Sequence, residues 1–228
     1  MPKTKQELIV IPTNNSPDIE NVLDIIHKYK GNRDVLLVDT QSNNEEYKDL
    51  CSKKCDECGF LWKESDSPDY EHSAVKTAIK YFPRERYWFQ HDSLIPKTNK
   101  SYDKVFKEIK KGVAVAWLGF EKAVCPFMNV ASENFCVEKF GSLDYETGVF
   151  GSIFGITRND LLKFDEINDN LAITNKTEAT TMERAWAILF KRYKIEPKYI
   201  EGIMTSATWY KFHNDEFLLF SKRFGNRQ

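Results

Sequence analysis

The sequence has no excess of charge of either sign and no long apolar run. The chain has 33 lysines and arginines and 34 acidic residues, which gives a net charge of −1. Nucleic-acid-binding proteins usually show a basic excess or a basic face, so we expect no nucleic acid among the partners. No stretch approaches the roughly 20 apolar residues of a transmembrane helix, and the first seven residues contain no apolar signal core. We therefore expect a cytoplasmic protein, for which peripheral contact with a membrane surface stays open.

Three familiar catalytic loops are also missing. The first apolar run is not followed by G-x-G-x-x-G, and neither a G-x-x-x-x-G-K-[ST] loop nor a G-x-S-x-G elbow occurs anywhere. The sequence therefore supports neither a nicotinamide-dependent enzyme nor a P-loop enzyme, and it carries no nucleophile signature.

Cysteine is scarce, but three of the five cysteines are close together. Cys51, Cys55 and Cys58 have a C-x3-C-x2-C spacing that can hold three corners of an iron–sulfur cluster. Glu57 precedes the last cysteine, where radical enzymes with such clusters usually carry an aromatic residue. On a helix the three cysteines share a face with Tyr47, which is typical of small core residues. No fourth ligand lies at a standard zinc spacing, so we interpret them as core thiols.

The first half of the chain alternates short apolar runs with helical patterns. Hydrophobic residues make up 41% of the chain, which is enough for a sizeable core. The apolar runs are residues 8–11, 35–38, 60–62 and 87–89, and helices are expected between Ser16 and Gly31, from Glu45 to about Cys58, and around residues 74–82. This alternation predicts an α/β fold with a parallel sheet and helices on its faces.

The second half is less regular. We expect a strand at residues 113–117, a strand or loop in the glycine-rich residues 148–156, and a short helix at residues 159–164. Glycines within an apolar run indicate close approach by another backbone or a ligand. Thr180 or Thr181 is expected to cap a later helix that is rich in aromatic residues.

Polar residues follow the first, second and fourth apolar runs. They are Pro12, Thr13 and Asn14, then Asp39, and finally Gln90, His91 and Asp92. Ligands of open α/β sheets bind at the carboxyl ends of the strands, where an acid such as Asp39 commonly contacts a ribose or a base. Asp92 is a candidate ligand for Mg²⁺ or Mn²⁺. Judged from the residues alone, these polar side chains could equally belong to turns or helix caps that bind no ligand.

Two further residues could carry chemistry. Glu183 lies among aromatic residues of the predicted late helix, where burial can raise a carboxyl pKa and make the group a base. The alternative is a solvated helix face on which Glu183 pairs with a nearby lysine or arginine. His213 is isolated in the sequence, and a lone histidine is more often structural than a ligand.

Four features together resemble the nucleotide-sugar-binding half of GT-A-fold glycosyltransferases, including small single-domain enzymes of bacterial and large-virus surface-glycan pathways. These features are a first strand ending in Pro-Thr, a second ending in Asp39, the helix around residues 74–82, and a strand ending in the polar triplet Gln90-His91-Asp92. The resemblance implies one domain over residues 1–228, with a mostly parallel central sheet flanked by helices. Residues 7–95 would form a Rossmann-like nucleotide-sugar-binding half, and residues 96–228 would bind the acceptor.

The resemblance also implies a set of site residues. The nucleotide-binding residues would be Pro12, Thr13, Asn14, Asp39, Gln90 and His91. In that family a D-x-D motif holds a divalent metal against the diphosphate. Here Gln90 replaces the first acid and Asp92 keeps the last, so Asp92 would hold Mn²⁺ or Mg²⁺, with His213 completing the metal shell. Glu183 would be the catalytic base.

The implied activity is hexosyltransferase-type transfer from a nucleotide-diphosphate sugar, with a UDP-sugar favoured, to a glycan or other hydroxyl acceptor. Two alternatives stay open. A sugar nucleotidyltransferase has a similar sheet, but it usually carries a glycine-rich, basic loop after the first strand, and residues 12–15 lack one. A catalytically degenerate GT-A module that only binds its ligand is suggested by Gln90.

Overall fold

The computed structural model describes residues 6–67, 70–124, 129–168, 171–205 and 217–222. The strands are β1 (Glu7–Thr13), β2 (Asp34–Asp39), β3 (Leu61–Glu64), β4 (Arg86–Phe89), β5 (Leu94–Pro96), β6 (Val113–Ala116), β7 (Gly119–Glu121), β8 (Thr147–Val149), β9 (Phe154–Thr157), β10 (Glu196–Tyr199), β11 (Ile203–Met204) and β12 (Phe220–Lys222). The helices are α1 (Ile19–Tyr29), α2 (Glu45–Cys58), α3 (Tyr70–Tyr81), α4 (Lys100–Glu108), α5 (Val130–Phe140), α6 (Arg158–Leu161), α7 (Asp165–Asn168) and α8 (Lys176–Arg192), and a 3₁₀ turn covers Phe150–Ser152.

The central sheet contains seven strands in the order β10-β6-β9-β4-β1-β2-β3. Neighbouring strands are parallel except where β9 runs antiparallel to both β4 and β6. The predicted α/β fold with a mostly parallel sheet is therefore confirmed. Strands β6, β9 and β10 come from the second half of the chain, so both halves build the same sheet. Two small sheets, β11-β7-β8 and β12-β5, are added to it.

Strand β1 is the point at which the strand order reverses. The chain leaves β1 for β2 and β3 on one side and returns to β4 on the other. Open α/β sheets bind ligands in the crevice outside the carboxyl ends of the strands at such a reversal. The topology therefore places the ends of β1, β2 and β4, where the predicted polar residues lie, around one crevice.

Helices cover both faces of this sheet. Residues 8–11 of β1 are all fully buried, as expected of a strand packed on both sides. Successive side chains of a strand point to opposite faces. Thr13 contacts Tyr47 of α2, whereas Pro12 lines a cleft with residues of α3 and α8. Helix α2 and the pair α3 and α8 therefore cover opposite faces at the end of β1.

Helix α2 has the bounds that the sequence predicts. The Asn44 side chain accepts a hydrogen bond from Tyr47 N at 3.1 Å, and Gly59 ends the helix in the left-handed conformation with φ = 64°. Cys51, Cys55 and Cys58 are buried on its inner face. Their burial supports the interpretation as core thiols.

The start of α8 differs from the prediction. Its cap is Asn175, whose side chain accepts from Glu178 N at 3.0 Å. Thr180 and Thr181 lie inside the helix, where Thr181 Oγ1 donates to the Thr177 carbonyl at 2.6 Å. A threonine hydroxyl can bond back to the preceding turn as well as cap a helix. Because the asparagine is a stronger cap, the helix begins one turn earlier than the threonines suggest.

Within the described ranges, no helix combines the length and the apolar character that are needed to cross a lipid bilayer.

Candidate active site at the carboxyl edge of the central sheet

Three of the predicted site residues converge at the ends of β1, β2 and β4. Thr13 Oγ1 donates a hydrogen bond to Asp92 Oδ2 at 3.0 Å. Thr13 is also the register partner of Asp39 on the neighbouring parallel strand, and paired residues of a sheet point to the same face. The hydroxyl of Tyr47 from α2 bonds Thr13 from the same side. The strand ends therefore bring a hydroxyl and two carboxyl groups together on the α2 face.

Asp39 is fully buried and holds the loop that follows β2. Its two carboxylate oxygens accept from Ser42 N at 3.0 and 3.2 Å, and its carbonyl accepts from Ser65 N at 2.9 Å. Burial raises the pKa of Asp39 above its usual value. Contact between this carboxylate and a nucleoside requires movement of residues 40–42, so the nucleotide-binding role of Asp39 stays a prediction.

The loops after β1 and β2 are tied together. Thr40 Oγ1 donates to the Thr13 carbonyl at 3.1 Å, and Asn14 Nδ2 donates to the Thr40 carbonyl at 3.1 Å. Asn14 is exposed, and so is Gln41, whose φ is 62°. These amides are among the solvent-facing polar groups at this edge. Binding of a nucleotide by Asn14 stays a prediction, and Gln41 is a neighbouring candidate that the sequence analysis missed.

Gln90 points into the core rather than into the crevice. It is 1% exposed. Its Oε1 accepts from Trp88 Nε1 and from the Tyr102 hydroxyl, both at 2.9 Å, and its Nε2 donates to the Leu94 carbonyl at 2.7 Å. The amide is therefore committed to the turn between β4 and β5, and nucleotide binding by Gln90 stays a prediction.

Asp92 is the acidic residue of the polar triplet. It is half-buried beside Thr13. The other predicted metal ligand, His213, lies outside the described residues. In the described ranges no three histidine, cysteine or acidic side chains are grouped to hold a metal. Asp92 and Thr13 suit a hard cation that takes its other oxygen ligands from phosphates and water, an arrangement that Mg²⁺ commonly has.

A cleft opens on the opposite face of the sheet, between α3 and α8. Its lining residues come from the ends of β1 and β4 and from the flanking helices and turn, and they are Pro12, Tyr70, Glu71, His72, Val75, Phe89, Gln90, His91, Ser152, Ile173, Ala179, Met182 and Trp186. Most of these side chains are apolar or aromatic, whereas Glu71 and His91 are ionisable. Few polar groups in a mostly apolar cleft are typical of small-molecule sites.

Glu183 lies beside this cleft with its carboxylate held in place. Its Oε1 accepts from Gly151 N at 2.8 Å, and its Oε2 lies 3.6 Å from Arg184 Nη1. The side chain is 19% exposed. Burial raises the pKa of Glu183 to about 7, and Glu71 adds to the rise, whereas Arg184 and Lys222 oppose it. A carboxyl group with this pKa exchanges protons near neutral pH, as a general base must.

His91 connects the end of β4 to Glu71 and Lys222 beside the cleft. Its Nδ1 lies 3.2 Å from Lys222 Nζ on β12, and its Nε2 lies 3.7 Å from Glu71 Oε1. His91 and Asp92 are consecutive, yet Asp92 contacts Thr13 on the α2 side while His91 faces Glu71 of α3. The triplet therefore connects the carboxylate site on one face to the cleft on the other.

Glu71 and Lys222 are site residues that the sequence analysis missed. Glu71 lies in the first turn of α3, and the position of that turn beside the end of β4 could have drawn attention to it. Lys222 carries no local signal. It reaches His91 only because β12 pairs with β5, about 125 residues away along the chain.

No protein-family model and no curated protein sequence matches this chain. Solved structures do match it. One is glucosyl-3-phosphoglycerate synthase from Mycobacterium tuberculosis in complex with Mn²⁺, UDP and glucosyl-3-phosphoglycerate, at 13% identity and a TM-score of 0.53, covering 87% of this chain and 71% of that one. Another is a mannosyltransferase from Pyrobaculum calidifontis in complex with GDP-Man and Mn²⁺, at 13% identity and a TM-score of 0.57, covering 95% of this chain and 63% of that one.

These neighbours share their architecture with the chain at low sequence identity, so the likeness concerns the fold. The strand reversal at β1 and the polar strand ends agree with it. The resemblance inferred from the sequence is confirmed at the level of structure: this chain has the fold of GT-A-type nucleotide-sugar glycosyltransferases.

Proposed function

We propose that this protein is a glycosyltransferase that uses a nucleotide-diphosphate sugar and a divalent metal. One observation carries the proposal. At the strand reversal of a GT-A fold, Asp92, a candidate metal ligand, bonds Thr13 on one face of the sheet, and Glu183, a candidate base with a pKa of about 7, is held by Gly151 beside the cleft on the other face. Glycosyl transfer needs both functions, charge compensation at the leaving diphosphate and proton removal from the acceptor.

In this mechanism Mn²⁺ or Mg²⁺ would be held by Asp92 and would supply positive charge to the diphosphate. Thr13 orients the Asp92 carboxylate through its 3.0 Å hydrogen bond. Glu183 takes the proton of the acceptor hydroxyl. The Gly151 N–H keeps the other carboxylate oxygen in place, at 2.8 Å. Direct attack by an acceptor that has been deprotonated in this way inverts the configuration at the sugar carbon.

The donor is proposed to be a UDP-sugar of the hexose type, and the acceptor a glycan or another hydroxyl compound. The structural neighbours support a nucleotide-sugar donor, since one was solved with UDP and another with GDP-Man, each with Mn²⁺. On this proposal Pro12, Asn14 and the backbone of residues 90–91 contact the nucleotide. We also propose a cytoplasmic location, one domain over residues 1–228, and halves at 7–95 and 96–228 for donor and acceptor.

Isothermal titration with UDP in the presence and absence of Mn²⁺ tests the site. We expect Asp92→Ala to lose the Mn²⁺-dependent gain in UDP affinity, about tenfold or more, because it removes the metal carboxylate. Asp39→Ala should weaken UDP binding with and without Mn²⁺, because residues 40–42 lose their anchor. The matched control is Lys198→Gln, which removes an ion pair between Lys198 of β10 and Glu108 of α4, away from the site. Wild-type binding that neither acidic substitution weakens would refute the site.

A catalytically degenerate binding module is the second candidate, and the position of Gln90 favours it specifically. A metal at this edge gains one carboxylate from the triplet instead of two, since the Gln90 amide is held in the core. The two candidates differ in turnover. Release of UDP from a UDP-sugar, by hydrolysis or by transfer to an added acceptor, supports the enzyme. Tight UDP-sugar binding without any release across a panel of sugars supports the binding module.

A further inference from the structure

Lys222, a cation that the mechanism has not yet used, lies beside His91 of the cleft lining. Two cations act on the Glu183 carboxylate, Arg184 and Lys222. Arg184 is 2% exposed, donates to the Thr180 carbonyl at 3.0 Å, and lies 5.1 Å from the centre of the Phe120 ring. Its guanidinium is therefore committed to the interior. Lys222 is half-exposed and lies beside His91, which lines the cleft.

Packing fixes the position of Lys222 even though it lies far along the chain. Strand β12 pairs antiparallel with β5, and Lys222 is the register partner of Leu94. Phe220, two residues earlier, is fully buried and stacks on Trp88 with ring centres 5.8 Å apart. The Leu219 carbonyl accepts from Lys97 N at 2.8 Å. The core thus anchors the strand immediately before the lysine.

The Lys222 ammonium lies at the junction of the two faces of the site. Its Nζ is 3.2 Å from His91 Nδ1, and His91 directly precedes Asp92. In the proposed reaction the base faces the sugar carbon, and that carbon is bonded to the distal phosphate of the donor. A cation within hydrogen-bond distance of His91, the residue that precedes Asp92, is therefore placed to meet the distal phosphate.

We propose that Lys222 binds the distal phosphate of the nucleotide-diphosphate donor and compensates the charge that develops on it. This inference rests on the proposed function. In the reaction the bond between the sugar carbon and the distal phosphate oxygen breaks, and its electron pair leaves with the phosphate. The acceptor oxygen forms the new bond to that carbon, and its proton goes to Glu183. Because Gln90 leaves the metal with a single carboxylate from the triplet, more of the charge compensation falls on Lys222.

The test compares UDP with UMP, which has the same base, ribose and proximal phosphate but no distal phosphate. Isothermal titration is carried out with Mn²⁺ and again with EDTA, on the wild type and on Lys222→Gln, Lys222→Arg and Lys198→Gln. We expect Lys222→Gln to weaken UDP binding about tenfold and UMP binding by less than about twofold, because only UDP carries the phosphate that the lysine contacts. The loss of UDP affinity in Lys222→Gln should be larger in EDTA, because no metal ion then compensates part of the diphosphate charge.

Two controls make the result decisive. Lys222→Arg keeps the charge and should retain most of the UDP affinity, whereas Lys198→Gln should match the wild type. If Lys222→Gln fails to unfold cooperatively, Lys222→Met takes its place, because methionine keeps the unbranched apolar stem of the lysine.

Each outcome decides between the proposals. Equal UDP affinity in the wild type and Lys222→Gln overturns the role of Lys222 and leaves the proposed function intact. Equal losses for UDP and UMP also overturn it, because they indicate a structural effect. A wild type that binds neither nucleotide overturns the proposed function itself, and the lysine proposal with it.

Discussion

Replacing Glu183 by glutamine should make the protein more stable at alkaline pH while removing the proposed base. The pKa of Glu183 is raised from 4.5 to about 7 in the folded protein. The folded state therefore holds the carboxyl proton more tightly than the unfolded state, and this group lowers stability as pH rises from 4.5 towards 7. One pKa unit corresponds to about 1.4 kcal/mol, so the cost at pH 8 is at most about 3 kcal/mol.

Glutamine cannot ionise, and its Oε1 can still accept from Gly151 N. The Glu183→Gln protein should therefore match the wild type at pH 4.5 and exceed its free energy of unfolding by up to about 3 kcal/mol at pH 8. Urea unfolding of both proteins at several pH values measures the difference, in which the titration of other groups cancels. Glu196→Gln, an exposed position on β10, is the control and should show no such trend.

The catalytic activity of Glu183→Gln should fall, although its free energy of unfolding at pH 8 should rise. Loss of a general base lowers kcat by roughly 10²- to 10⁴-fold, and UDP affinity should be retained because Glu183 is proposed to act on the acceptor. A Glu183→Gln protein that is less stable than the wild type at pH 8, or a stability difference that does not vary with pH, would refute the raised pKa of this buried carboxyl group.

Three further substitutions or measurements test the core around the site. Gln90→Glu should not improve Mn²⁺ binding and should lower the free energy of unfolding by about 3 kcal/mol, since it buries a carboxylate against the carbonyl that the amide now satisfies; tighter Mn²⁺ binding would contradict this. Gly148→Ala should destabilise by about 1–3 kcal/mol, because its Cβ would lie 2.1 Å from the Phe120 ring; an unchanged melting temperature speaks against that packing. Burial raises the pKa of Cys51 to about 11 and that of Cys55 to about 12, so neither should react with a thiol reagent at pH 8 until the protein is unfolded, and rapid labelling of the native protein would count against their burial.

Local signals were enough to predict several elements. Helix α2 begins after Asn44 and ends at Gly59, and both residues act through bonds and conformations within one turn of themselves. The apolar runs of β1 and β2 are long enough to be recognised as strands buried on both faces. The prediction for the start of α8 was wrong because the helix begins after Asn175, a stronger cap than the threonines one turn later that the sequence analysis favoured.

The orientation of the polar triplet required the tertiary structure. Gln90, His91 and Asp92 follow β4 without any sequence signal that separates their directions. The donors from Trp88 and Tyr102 turn Gln90 into the core. His91 and Asp92 then face opposite sides of the sheet.

The sequence by itself determined the strand-helix alternation, the parallel sheet and the strand ends that carry Thr13, Asp39 and Asp92, because apolar periodicity, caps and turns act over a few residues. Only the tertiary structure decided which of those side chains reach the crevice, that Asp39 is closed off by its own loop, and that Glu71 and Lys222 meet at His91. Such contacts depend on packing between elements far apart in the chain, and burial, which sets the pKa of Glu183, is a property of the assembled core rather than of any segment.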